Sequence, residues 1–156
     1  MEQFREKIEQ HGNYYEKHGF SPVASRVMIY LFLHPEGEAT FEDLIQYFGV
    51  SKSAISNALK ILSVMQIVSE RTKGGTRKRY FQASLRIIFS PATMLKNYRE
   101  TRLILEDIKK LRKKRDKVAD DFSDIIDFMK LLEKEYPELY RKVQEEGARK
   151  RSGSGL

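Results

Sequence analysis

The chain has 156 residues, with 29 Lys and Arg against 22 Asp and Glu and a formal net charge of +7. That length, with 40% hydrophobic residues, suffices for one modest core, or a small domain with an appended element, and excludes a large two-domain enzyme. The lack of cysteine excludes a disulfide scaffold, a thiol nucleophile and a cysteine-based zinc site; with no apolar run near the roughly 18 residues of a membrane span and no secretion signal in MEQFREKIEQ, a soluble cytoplasmic protein is expected.

Residues 2–18 read as a first helix, because Phe4, Ile8, His11, Tyr15 and His18 recur at alternating spacings of 4 and 3. His11 and His18 are expected to face inward as packing residues, since two histidines without a third ligand make a poor metal site. Ser21-Pro22 supplies an N-cap and a proline at the first helical position, and Val23, Ala24, Val27, Met28, Leu31 and Phe32 predict a second helix buried along most of its girth. His34-Pro35-Glu36-Gly37 stops it.

Thr40 and Asp43 resemble a capping box with Asp in the acidic position, ahead of a short third helix whose apolar face is Leu44, Ile45 and Phe48. Gly49 closes that helix, Ser51 caps a fourth, and Ala54, Ile55, Ala58, Leu59 and Leu62 give the fourth an inner face to about Met65. Two short helices joined by a turn with Gly at its start predict a helix-turn-helix. Beyond it, residues 67–72 and 79–83 are β-prone runs around Lys73-Gly74-Gly75-Thr76-Arg77-Lys78, a hairpin signal. Helix, helix, helix, hairpin is the winged helix-turn-helix order.

From Ser90-Pro91 onward no Pro or Gly recurs until Pro137. Ile104, Ile108, Leu111, Arg115, Val118, Phe122, Ile125, Met129, Leu132 and Tyr136 follow a heptad seam with one arginine in it. The small winged domain cannot bury such a stripe, so a second copy of the chain is the simplest partner. The polar run from Arg112 to Lys117 leaves open whether the seam is one rod or a hairpin. The predicted division is an N-terminal helix for dimerisation or packing (1–20), a winged helix-turn-helix domain (21–89), a helical dimerisation region (90–147) and a disordered tail (148–156). The fold class expected is mainly α, with a small β-hairpin wing and a long, coiled-coil-like C-terminal dimerisation helix.

The positive charge is unevenly placed: residues 51–89 hold eight basic side chains and the single acid Glu70, a net +7, whereas residues 1–50 are net −4. With the inner face of the fourth helix turned to the core, Ser51, Lys52, Ser53, Ser56, Asn57 and Lys60 lie outward. Small hydroxyls, an amide and lysines suit a major groove, where Asn57 can pair bidentately with adenine and the lysines can reach phosphate or guanine; a solvated polar face is the plain alternative. The candidate wing, Lys73, Gly74, Gly75, Thr76, Arg77, Lys78 and Arg79, crowds four cations around a glycine pair and suits phosphate or minor-groove contact. The basic run from Lys109 to Arg115 reads mainly as a solvated or internally neutralised face.

The segments Gly19 to Val27, Phe41-Glu42-Asp43-Leu44 and Val50 to Lys60 resemble the GbsR-type branch of MarR-like transcriptional regulators. The resemblance spans about 65 residues and implies a winged-helix dimer on near-palindromic double-stranded DNA. It also implies that Ser51 to Lys60 is the recognition helix and Lys73 to Arg79 the wing. Dimerisation would then fall to Ile104, Ile108, Leu111, Val118, Phe122, Ile125, Met129 and Leu132. Some regulators of this type respond to small ligands, and aromatics including Tyr14, Tyr15, Phe20, Tyr30 and Phe32 are candidate pocket residues, although no motif identifies an effector. No catalytic constellation, cofactor motif or metal motif is legible, so a non-enzymatic, nucleoid-associated regulator is expected. The competing reading is a non-catalytic protein-interaction module using the same head and coiled coil.

Overall fold

In the computed structural model, which describes residues 1–75, 78–112 and 115–153, the chain divides after Ile88 into two units. The first runs α1 (Arg5–Lys17, after a 3₁₀ turn Glu2–Phe4), α2 (Pro22–Leu33), β1 (Glu38–Thr40), α3 (Phe41–Phe48), α4 (Lys52–Val64), β2 (Val68–Thr72), β3 (Arg79–Ala83) and α5 (Leu85–Ile88). The second holds α6 (Pro91–Leu111) and α7 (Lys117–Gly153). This is a winged helix-turn-helix followed by a long C-terminal helix.

The caps set the boundaries of the head. Ser21 accepts the Ala24 N–H at 3.2 Å, and Pro22 follows with its fixed φ. Thr40 and Asp43 form a reciprocal box: the Asp43 N–H donates to Thr40 Oγ1 at 3.2 Å, and the Thr40 N–H donates to Asp43 Oδ2 at 3.0 Å. Gly49 ends α3 at φ +63°, a left-handed conformation that turns the chain sharply into α4. Ser51 then accepts the Ala54 N–H at 3.2 Å.

The core gathers Ile8 from α1, Val27, Met28 and Leu31 from α2, Leu44 from α3, Ile55 and Leu62 from α4, and Phe81 from β3. The inner face of α1 differs from the predicted one. His11 and His18 are exposed, and Ile8 and Gly12 are the buried positions. A Cβ on Gly12 would lie 2.7 Å from Arg26 Cγ, so the glycine admits the Arg26 stem. The Arg26 guanidinium then bonds Glu9 (2.7 Å), Glu16 (2.9 Å) and Asn13 (2.7 Å). Phe4 and Tyr15 pack against the core as expected, and the face departs from the predicted one at the two histidines, where Gly12 and the Arg26 stem meet instead.

The wing belongs to a three-stranded antiparallel sheet of order β1-β3-β2, with Glu38 opposite Gln82 and Gln82 opposite Ser69. Sequence reading gave only the two hairpin strands; β1 is three residues long, too short to show a period.

The heptad seam does not form one rod. The chain leaves helical geometry at Arg112 (φ −77°, ψ 111°), and α7 begins at Lys117. Asp116 caps the new helix by accepting the Ala119 N–H at 3.1 Å, and it pairs with Arg112 at the same distance. The polar run thus supplies both the break and the restart. Within this unit α6 and α7 are antiparallel, as the bonds from Arg102 to Glu133 (2.7 Å) and from the Tyr136 hydroxyl to the Phe89 carbonyl (2.8 Å) require. Pro137 lies inside α7 and does not end it. The tail expected to be disordered from residue 148 is helical through Gly153: no proline follows Pro137, and Ser152 Oγ bonds back to the Ala148 carbonyl at 3.1 Å.

Candidate nucleic-acid interface

The buried set Ile55, Ala58, Leu59 and Leu62 fixes the rotation of α4. Consequently Ser51, Lys52, Ser53, Ser56, Asn57 and Lys60 are all exposed. The Ser51 and Ser53 hydroxyls lie 2.9 Å apart at the start of the helix, where its unpaired N–H groups and positive dipole end face solvent. This end is an anion-favouring surface carrying small polar side chains.

Strand alternation sorts the wing into two faces. On one face Glu70, Arg79 and Phe81 stand beside α4. Together with Ser56, Lys60 and Ser63 they line a cleft of about 170 Å³. Arg79 and Glu70 are 3.6 Å apart across the hairpin, and both side chains remain largely exposed. Such a surface pair contributes little and leaves the arginine available for exchange to another anion.

On the opposite face Arg71 and Lys73 both reach Glu38, whose side chain is only 3% exposed. Arg71 Nε donates to Glu38 Oε2 at 2.6 Å, Lys73 Nζ lies 2.5 Å from Oε1, and Lys73 also sits 4.3 Å from the centre of the Tyr80 ring. Hydrogen bonds from Lys73 and Arg71 hold the Glu38 carboxyl below the usual carboxylate range. Lys73 was expected to be a wing contact with no acid nearer in sequence than Glu70; folding delivers Glu38 from 35 positions away. From sequence, Arg71 reads only as a residue able to extend the basic patch, its direction left open by strand alternation, and Glu38 is not among the site residues. No local signal marks Glu38, because its partners depend on strand order.

Gly75 takes φ +81° at the tip, where a left-handed residue lets the hairpin turn. Lys78 is exposed, and its charge adds to the Thr40 hydrogen bonds that hold the Asp43 carboxyl low at the start of α3. Thr76 and Arg77 lie outside the described residues, as do Lys113 and Lys114 of the second basic run.

A polar cavity of about 540 Å³ opens on the Glu38 side of the head, lined in part by Arg5, Tyr30, His34, Glu38, Asp43, Tyr47 and Tyr80. Of the aromatics considered for an effector pocket, Tyr30 alone lines it. The Tyr47 hydroxyl is buried without a hydrogen-bond partner among the described residues, and the Arg5 guanidinium lies 4.7 Å from the Tyr47 ring centre.

Of the expected dimerisation residues, Ile104, Ile108, Leu111, Val118 and Ile125 are exposed, and Phe122 and Leu132 are half-buried. Met129 behaves differently. At 9% exposure it lies inside the helical hairpin with Ile126 rather than on an outer seam, because α6 folds back onto that face of α7.

No group of three or more His, Cys, Asp or Glu side chains suited to a metal occurs among the described residues, and no described helix is long and apolar enough to cross a membrane. Scans against family models and curated protein sequences find no match. Among solved structures, one described as a transcriptional regulator matches with a TM-score of 0.79 at 16% identity, over 92% of this chain and 99% of that one. The chain shares the fold of a transcriptional regulator. The transcriptional regulator Tm0710 from Thermotoga maritima is also similar, with a TM-score of 0.43 at 16% identity over 99% of this chain and 94% of that one. In this regulator fold, α3 and α4 form the helix-turn-helix, and β2 and β3 form the wing.

Proposed function

We propose that the chain is a sequence-specific transcriptional regulator of double-stranded DNA, of the GbsR/MarR type, acting as a homodimer on pseudo-palindromic operators. One observation carries the reading: Ser56 and Lys60, on the outward face of α4 that also exposes Ser53 and Asn57, line a cleft together with Arg79 of the wing. A helix carrying an amide and hydroxyls can read base edges, while cations beside it hold the phosphate backbone. In this reading Ser51, Lys52, Ser53, Ser56, Asn57 and Lys60 enter the major groove. Gly74 and Gly75 shape the wing, and Lys78 and Arg79 contact backbone or minor groove, with Thr76 and Arg77 proposed as further wing contacts.

Two heads related by a twofold axis would present α4 to successive major grooves, with half-sites about 34–36 Å apart. The exposed apolar residues of α6 and α7 favour self-association through the helical region. The site needs no catalytic group, cofactor or metal for this role.

Selection of genomic fragments by the purified protein tests the reading, because it reports binding, sequence and half-site spacing together. Enrichment of an inverted repeat and a steep loss of affinity with salt are expected. Absence of binding to any duplex at low salt would sink the proposal and leave the protein-interaction module in its place.

A further inference from the structure

Glu38 stands on β1, one edge of the sheet, while Arg71 stands on β2, the other edge, and Lys73 follows directly after that strand. Arg71 lies on the face turned away from Glu70 and Arg79, and Lys73, one residue past the end of the strand, reaches the same carboxylate. Each carboxylate oxygen of Glu38 has its own cation: Oε2 takes Arg71 Nε at 2.6 Å, and Oε1 lies 2.5 Å from Lys73 Nζ. The Glu38 side chain is 3% exposed, so an unpaired anion there would be costly, whereas the side chains of Arg71 and Lys73 are 48% and 42% exposed. A phosphate competing for either cation would have to strip a partner from a buried carboxylate. At Arg79 it would meet only an exposed, 3.6 Å pair with Glu70.

We propose that Glu38 is a positioning residue that withholds Arg71 and Lys73 from the nucleic-acid backbone, so that the wing engages DNA through its α4-facing side and tip. The inference rests on the DNA-binding reading and divides that reading's charge: of the wing cations, those on one face count phosphates, and those on the other hold the sheet. Glu38 thereby limits sequence-independent affinity, which grows with the number of phosphates neutralised and competes with operator binding.

The test is a salt titration of full-length protein on a random-sequence duplex. Glu38→Gln keeps the shape and removes the charge that holds the cations. It is expected to raise affinity for random DNA several-fold and to steepen the log–log salt slope by about 1–2, as two released cations meet phosphate. The triple variant Glu38→Gln, Arg71→Gln, Lys73→Gln should return to the wild-type slope. Lys73→Gln alone, which leaves Arg71 on the carboxylate and guards against misfolding of the Glu38 variant, should leave the slope unchanged, while Arg79→Gln should flatten it by about 1. A purely structural ion pair would alter melting but not the slope. An unchanged slope in folded Glu38→Gln, or a slope flattened by Lys73→Gln, overturns the inference while the Arg79→Gln result keeps the DNA reading intact. Absence of salt-dependent binding by the wild type overturns both.

Discussion

The head and the helical hairpin solve the burial of apolar surface in opposite ways. In the head, α2 alone buries Ala24, Ser25, Val27, Met28, Ile29, Tyr30 and Leu31, and every other helix from α1 to α4 adds to the same cluster. The hairpin buries Ile126 and Met129 but leaves Leu103 (53%), Ile104 (60%), Leu111 (74%), Ile125 (50%), Phe128 (55%) and Leu131 (54%) exposed. Two helices cannot enclose two apolar stripes each. The head therefore carries its stability within one chain, whereas the hairpin keeps apolar surface of the kind that marks association. The internal bond between its helices is polar, through Arg102 and Glu133, each 15% exposed.

The comparison breaks most sharply at its two extremes. Leu31→Ala empties a fully buried position in the head and should cost about 2–5 kcal/mol in urea unfolding, without changing the oligomeric state. Leu111→Ala, at a position exposed within one chain, should cost the fold of that chain under about 0.5 kcal/mol and weaken self-association instead. A head substitution that dissociates the protein would refute the division of labour. Next in size is the pair Ile108→Lys and Ile125→Lys on the hairpin. Sedimentation should show a monomer whose head melts normally, and affinity for an inverted repeat should fall about 100-fold as the second half-site ceases to be held in place. Retained dimerisation would mean that other residues form the interface.

Within the head, Asn57→Ala separates reading from holding. Discrimination at one base-pair position should fall by about 1–3 kcal/mol while the salt slope stays put, because the amide carries no charge. A uniform loss across sequences, measured on a panel of single-substituted sites, would assign Asn57 to the backbone instead.

Much of this architecture is written locally. Ser21-Pro22, the Thr40 and Asp43 box, Gly49 and Ser51 each act within four residues, so the helix-turn-helix could be read from the chain and so could the outward set on α4. What escaped depends on distant partners. The rotation of α1 hinges on Gly12 accepting Arg26, and the role of Glu38 hinges on sheet order, neither of which leaves a periodic trace. Met129 fits the heptad yet turns inward, because the end of α6 at Leu111 gives α7 a partner from its own chain. The four-residue helix α5 is too short to carry a pattern.

The smallest effect expected is a pH effect confined to the head. Hydrogen bonds from Thr40 hold the Asp43 carboxyl below its usual range, helped by the charge of Lys78 and opposed by partial burial. A lowered folded value means that the unfolded chain takes up the proton first. The contribution is complete above the unfolded value of about 4 and is lost as the pH falls through the lower folded value. Asp43→Asn should therefore cost about 1 kcal/mol at pH 7, in the range of a helix cap, and progressively less toward pH 3. Urea midpoints for the two proteins across that interval measure it. Glu133 is also held low, by its hydrogen bond from Arg102, so acid loosens the hairpin as well; but that loss is common to both proteins and cancels in the difference. A gap between the two midpoints that stays constant with pH would show that the Asp43 charge does not stabilise the start of α3.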